Sequence, residues 1–259
     1  MEAVEGERVA GGRGRYTLKP TRINSEDIMF CIDVDSESMV EMKTTGPSGR
    51  PLTRLDAMKQ AILLFINTKL SINPDHRFAF AVLSKSASWV RKEFSNEVES
   101  AVTALRGLSA SSSCGQADLT HLFRMAAHVA KKSHAQNRIL RVILVYCRSS
   151  VRPHHQWPMN EKLFTLDVMY LHDKPGPDNC PQEVYDSLVD ILEHVSEYEG
   201  YIHETGQGLR LILRYMSILL AHPQQRCTQD DLDIPKSVTK RSPALDSTNG
   251  EENVPVSSQ

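Results

Sequence analysis

The sequence predicts an α/β fold in which a doubly wound, mostly parallel sheet carries helices on both faces. Three observations predict it. Apolar runs of strand length recur at 27–32, 77–83, 139–146 and 163–171, and apolar residues at successive positions mark strands covered on both sides. Between these runs lie segments whose apolar residues return every three or four positions, the period of an amphipathic helix. Strands that alternate with helices in this way pair in parallel through crossover connections.

Taken in order, residues 1–19 are glycine-rich, charged and without period, the composition of a flexible tail. The first strand, 27–32, ends abruptly in acids and hydroxyls. Pro47, Gly49 and Pro51 mark a turn-rich loop, and Thr53 with Asp56 makes a capping-box start. The helix that follows carries Leu55, Met58, Ile62, Phe65 and Ile66 on one stripe and ends near Leu70. Residues 77–83 form a second buried strand, and 88–94 read as a third that pairs back through a short connection. Ser95 caps a helix with Val98, Val102 and Leu105 inward, and a serine-rich loop spans 109–115. Asp118 opens another helix, with Leu122, Phe123 and Ala126 inward. Residues 139–146 are β-branched and aliphatic, the most strand-like run in the chain. After a polar loop holding His154 and His155, 163–171 is again a strand. Pro181 suits the first turn of a helix striped by Val184, Leu188, Ile191 and Val195. A short strand at 200–203 and an apolar helix at 209–220 complete one domain at 20–222. Pro223 stops that helix, and from about Thr228 the polar composition predicts disorder within a C-terminal segment at 223–259.

Composition excludes several function classes. With 40% hydrophobic and 24% charged residues and a net charge of −2, bulk electrostatics point to neither nucleic acid nor a membrane surface. The five cysteines are scattered singly, which makes neither a disulfide framework nor a paired zinc site and reads as reduced, intracellular thiols. No apolar run approaches the roughly 18–20 residues of a membrane helix, and Glu2, Glu5 and Glu7 are unlike a secretory leader. The glycines at 11, 12 and 14 precede the first strand, where a dinucleotide fingerprint cannot function. No P-loop and no nucleophile elbow occurs. His154 and His155 sit in a loop without a partner ligand, so they read as solvated rather than zinc-binding. No residue is assigned a catalytic role and no cofactor is implied.

The loop after the first strand is the remaining candidate. Asp33, Asp35, Ser36, Glu37 and Ser38 are all oxygen donors at the carboxyl end of a buried strand, the place where open α/β sheets bind ligands. Together with a serine-rich second loop, this resembles the von Willebrand factor A fold. That family holds magnesium with a D-x-S-x-S loop, a threonine and a further aspartate. Here Asp33 matches the first acid, whereas Asp35 and Glu37 stand where hydroxyls belong, and Ser112 or Ser113 stands for the threonine. The third position reads Tyr146, Cys147, Arg148, with no acid and a cation instead. The metal site therefore reads as degenerate, with Asp33 and Asp35 ordering their loop through backbone N–H groups. A divalent-cation-dependent ligand-binding module that uses Asp33, Asp35, Glu37 and Ser112 is the alternative.

The resemblance narrows at the far end. Leu219, Leu220, Ala221, His222 and Pro223, then Gln225, Arg226 and Cys227, together with 30–33 and 141–146, look like the von Willebrand A-like scaffold subunit family of the BRISC deubiquitinase, shared with the breast-cancer A complex of DNA repair. The resemblance implies a non-catalytic scaffold in DNA-damage signalling, located in nucleus and cytoplasm. It implies direct contact with the ubiquitin-conjugating-enzyme-like subunit. Through the complex it implies association with a metalloprotease deubiquitinase core, which cleaves non-degradative polyubiquitin chains, and with that core's pseudo-enzyme partner. Leu219, Leu220, His222, Pro223, Gln225 and Arg226 are the partner-binding candidates. Lys236, Lys240 and Arg241 form a sparse basic cluster in the tail, next to Ser242 and Pro243.

Overall fold

The computed structural model describes residues 23–45, 49, 51–158, 161–206 and 208–232; the expected N-terminal tail and everything beyond 232 lie outside them. Strand β1 (Ser25–Asp33) is the centre of the sheet. It is followed by a hairpin of β2 (Glu41–Thr45) and β3 (Pro51–Thr53), then α1 (Arg54–Ile72), β4 (Arg77–Leu83), β5 (Ala87–Ser95) and α2 (Val98–Arg106). The chain continues through β6 (Ala117–Asp118), α3 (Thr120–Ala135), β7 (Arg138–Tyr146), β8 (Pro153–His154), β9 (Thr165–Leu171), α4 (Pro181–Val195), β10 (Ile202–Thr205) and α5 (Leu209–Ile218).

Six strands form the main sheet in the order β10-β9-β7-β1-β4-β5. Every neighbouring pair is parallel except β4 with β5. The period-two alternation of strand side chains splits the core between the two faces. Ile28, Phe30 and Ile32 of β1 pack with α1, α2 and α5, and Met29 and Cys31 pack with α3 and α4. Phe30 anchors the first face, edge-on to Phe65 at 5.7 Å and stacked on Phe80 at 5.8 Å.

Local chemistry sets the element ends. The Thr53 Oγ1 accepts from the Asp56 backbone N–H at 3.1 Å, which satisfies an otherwise orphaned donor of α1. Of the loop expected at 47–51, Pro51 belongs to β3, which pairs antiparallel with β2, and Gly49 sits at φ 73°, a left-handed conformation that costs glycine nothing. Helix α3 starts at Thr120 rather than at Asp118, because Asp118 pairs with His154 in a short parallel bridge and caps the helix through its Oδ1. Residues 229–231 form a single 3₁₀ turn packed on the domain, where disorder is expected. The Gln229 carboxamide holds it there by exchanging two 2.7 Å hydrogen bonds with the backbone of Ile202.

Candidate functional site

From β1 the chain runs outward to β4 and β5, then returns to the other side of β1 for β7 and β9. The loops leaving β1 and β7 therefore diverge and open a crevice at their carboxyl ends. Asp33 and Arg148 meet in that crevice, both with side chains fully buried. The Arg148 Nε lies 3.2 Å from Asp33 Oδ1 and 3.0 Å from Oδ2, and its Nη2 lies 3.0 Å from Oδ1. The guanidinium also donates to the carbonyls of Cys114 at 3.0 Å and Gln116 at 2.6 Å, and to that of Ser84. Asp33 in turn accepts from the backbone N–H groups of Asp35 and Cys147, each at 3.1 Å. Burial pushes the Asp33 carboxyl up against the pull of Arg148. Burial also opposes the Arg148 charge, but the hydrogen bonds to Asp33 together with the charges around it, Asp33 foremost, outweigh it and raise the guanidinium.

The other acids of the loop are also committed. Asp35 accepts from the backbone N–H groups of Glu37 at 3.2 Å and Cys114 at 2.7 Å, which ties the first loop to the serine-rich loop. Glu37 accepts from the Ser149 backbone N–H through both oxygens, at 3.1 and 3.0 Å, and from the Ser149 hydroxyl at 2.7 Å. Arg54, buried at the start of α1, donates to the Glu37 carbonyl at 3.3 Å and to Asp173 at 2.7 Å. Ser112 is exposed and contributes its backbone carbonyl, not its hydroxyl, to the loop's hydrogen bonds.

A divalent cation needs several oxygen donors converging on one position. In this crevice a guanidinium holds that position, and among the described residues no group of three or more His, Cys, Asp or Glu side chains is placed to hold a metal ion. The donor set does not fit magnesium. Burial raises the thiols of Cys31 and Cys147, which keeps both away from the reactive thiolate form.

The C-terminal candidates converge on a second buried site, which sequence reasoning missed. Leu219 is buried, and its carbonyl accepts from Arg141 at 2.6 Å. The Leu220 carbonyl accepts from Lys69 at 3.4 Å. His222 takes the Gln224 backbone N–H on Nδ1, so its Nε2 donates to the Asn24 carbonyl at 2.9 Å. Arg226 is forked on Asp167, at 2.7 and 3.1 Å, and its guanidinium lies 4.3 Å from the Tyr201 ring centroid. Asp167 also pairs with Arg141, which reaches Glu26 at 3.4 Å, and Glu26 pairs with Lys69. Burial opposes the charge of Asp167, yet Arg141 and Arg226 hold its carboxyl down to about 2. This chain of ions pins residues 219–226 across the amino ends of β1, β7 and β9. Leu219, His222, Pro223 and Arg226 point inward, whereas Gln225 is exposed and Leu220 half-buried.

No protein-family model matches the chain. It is similar to curated proteins named BRISC and BRCA1-A complex member 1. The Xenopus laevis protein is 26% identical over 226 residues, spanning 82% of this chain and 68% of that relative. The Homo sapiens protein is 26% identical over 235 residues with the same coverage, and the Mus musculus protein is 23% identical over 241 residues, 86% of this chain and 71% of the relative. The chain is a homologue of the proteins so named. Among solved structures, the crystal structure of the SpRpn10 VWA domain matches with a TM-score of 0.50 and 13% identity, over 80% of this chain and 100% of that one. The fold is that of a von Willebrand factor A domain.

Proposed function

We propose that this homologue of BRISC and BRCA1-A complex members is a non-catalytic scaffold subunit of a deubiquitinase complex of that kind, acting on non-degradative polyubiquitin in DNA-damage signalling. One observation carries the non-metal part of the reading. The crevice in which related folds coordinate a cation for their partners is filled by Arg148, bonded to Asp33 and to three carbonyls. An internal cation that needs no partner carboxylate stabilises the domain and leaves binding to its outer surfaces. The names of the relatives support membership of the complex.

In this reading the direct neighbour is the ubiquitin-conjugating-enzyme-like subunit. It meets the outer side of the segment that holds Leu220 and Gln225, whose inner side the ion chain keeps rigid. A surface ordered in advance loses less conformational freedom on binding. The metalloprotease core and its pseudo-enzyme partner join through that neighbour, in both nucleus and cytoplasm. Purification of the tagged full chain from cells that make it naturally tests the proposal. The expected result is co-purification of a metalloprotease-type deubiquitinase core, and Gln225→Glu with Leu220→Asp weakens its recovery. Recovery of the chain alone, under conditions that keep complexes intact, overturns the reading.

A further inference from the structure

Beside the C-terminal turn, helix α4 and edge strand β10 enclose a groove of about 650 Å³ that the proposed assembly does not use. Its apolar lining is Val189, Leu192 and Ile202, with the rings of Tyr185 and Tyr198. Four carboxylates share that lining, Glu193, Glu197, Glu199 and Asp230, against one cation, Lys162. The Lys162 ammonium is engaged by the Glu193 backbone carbonyl at 3.0 Å. Glu197 faces His134 at 3.6 Å and Glu199 accepts from the Gln229 backbone N–H at 3.0 Å. Glu193 and Asp230 enter no hydrogen bond or ion pair through their carboxylates among the described residues.

Two alternatives fail on the same geometry. An added strand cannot pair at Ile202, because the Gln229 carboxamide already takes both its N–H and its carbonyl. A nucleic acid would bring phosphates against four carboxylates, which repels it. The groove instead suits long cationic side chains. Aliphatic stems lie on the apolar lining, guanidinium or ammonium heads face tyrosine rings, and the free carboxylates take the charge. We propose that this groove receives an arginine- or lysine-bearing segment of a partner protein, read through its side chains.

The test uses the full chain and a fluorescein-labelled octapeptide, Gly-Ser-Arg-Leu-Arg-Lys-Gly-Ser, followed by fluorescence anisotropy at low and physiological salt. Binding is expected, weaker as salt screens it, and a peptide with glutamates in place of its basic residues does not bind. Glu193→Lys with Asp230→Lys lowers affinity about tenfold, the sum of two partly exposed pairs. The same charge change on the opposite sheet edge, Glu93→Lys with Glu99→Lys, leaves affinity within about twofold. Equal losses from both double variants, or no loss from the first, overturn the proposal. Glutamates at Lys236, Lys240 and Arg241 in the full chain leave peptide affinity unchanged. A rise would assign the groove to the chain's own tail and overturn its assignment to a partner.

Discussion

Replacing Arg148 by alanine is the most informative single perturbation of this domain. The change strips Asp33 of its counter-ion while leaving the carboxylate buried, with only the N–H groups of Asp35 and Cys147 as donors. It also leaves the carbonyls of Cys114, Gln116 and Ser84 without the guanidinium. Breaking a buried pair from one side costs about 3–5 kcal/mol, and at about 2–4 °C per kcal/mol for a domain of this size the melting temperature falls by roughly 6–20 °C. Removing both charges, with Asp33→Asn and Arg148→Gln, costs less than the sum of the two single changes, by a coupling of up to about 3 kcal/mol.

Magnesium supplies the second arm of the same experiment. An ion that binds the native state with a Kd of ~0.1 mM contributes about 2.7 kcal/mol at ~10 mM, a rise of roughly 5–10 °C. No such rise is expected for the natural chain in thermal melts, because Arg148 holds the position. Arg148→Ala is not rescued either, because Asp35 and Glu37 spend their oxygens on the backbone of Glu37, Cys114 and Ser149. A magnesium-dependent stabilisation of the natural chain, or an Arg148→Ala variant as stable as the parent, would refute the reasoning.

Three further outcomes follow from the same contacts. Arg226→Ala leaves Arg141 as the cation paired with Asp167 and frees the 219–232 segment from its fork; global stability drops by about 3 kcal/mol, and amide exchange at Ile202 and Gln229, whose N–H groups hold the segment to the domain, speeds up, read by hydrogen-exchange mass spectrometry. Acid denaturation proceeds in two ranges. Burial holds His76 and His203 neutral, with pKa values pushed down to about 4, so their contribution is present at neutral pH and is lost as pH falls from roughly 6.5 to 4. Asp167, depressed to about 2, contributes fully above about 4 and loses about 2 kcal/mol as pH falls through 2. A pH series of urea melts reads both ranges, and Asp167→Asn shrinks the lower one, to which Glu26 and Asp27 also contribute, while leaving the upper one. Gly200→Ala places a methyl group 2.2 Å from the Leu166 carbonyl oxygen and 2.9 Å from Ser196 Oγ, and the resulting shift of β10 costs at least about 1–3 kcal/mol in the same melts.

The sheet was legible because burial on both faces leaves a strong mark in sequence. The runs at 77–83 and 139–146 coincide with β4 and β7 to within a residue, since nothing but an apolar side chain satisfies most of their positions. The β2–β3 hairpin was not legible. Its three-residue return strand begins at Pro51, and each strand offers a single buried apolar residue, Met42 and Leu52, too short an alternation to reveal the pairing. Residues 229–231 were misread for a related reason. Their anchoring comes from one carboxamide that reaches the backbone of Ile202, a tertiary contact that polar composition cannot encode.

The two buried ionic sites differ in the same respect. Asp33 and Arg148 could be placed together from the sequence because both stand where strands emerge at the switch point, so topology alone brings them into one crevice. The ion chain of Glu26, Lys69, Arg141, Asp167 and Arg226 crosses three strands, a helix and the C-terminal segment, and no local spacing joins its members. Its signal lay in residues that look out of place, an arginine inside the run 139–146 and an aspartate inside 165–171. A charge enclosed by a buried strand demands a partner, and two such charges on neighbouring strands satisfy each other when they share a face. Asp167 pairs in register with Ile143, two residues from Arg141 and therefore on the same face. Arg226 then completes the set from outside the sheet, which ties the C-terminal segment to the strands beneath it. In the described residues that segment is an internal clasp, and only its outer side remains for a neighbour.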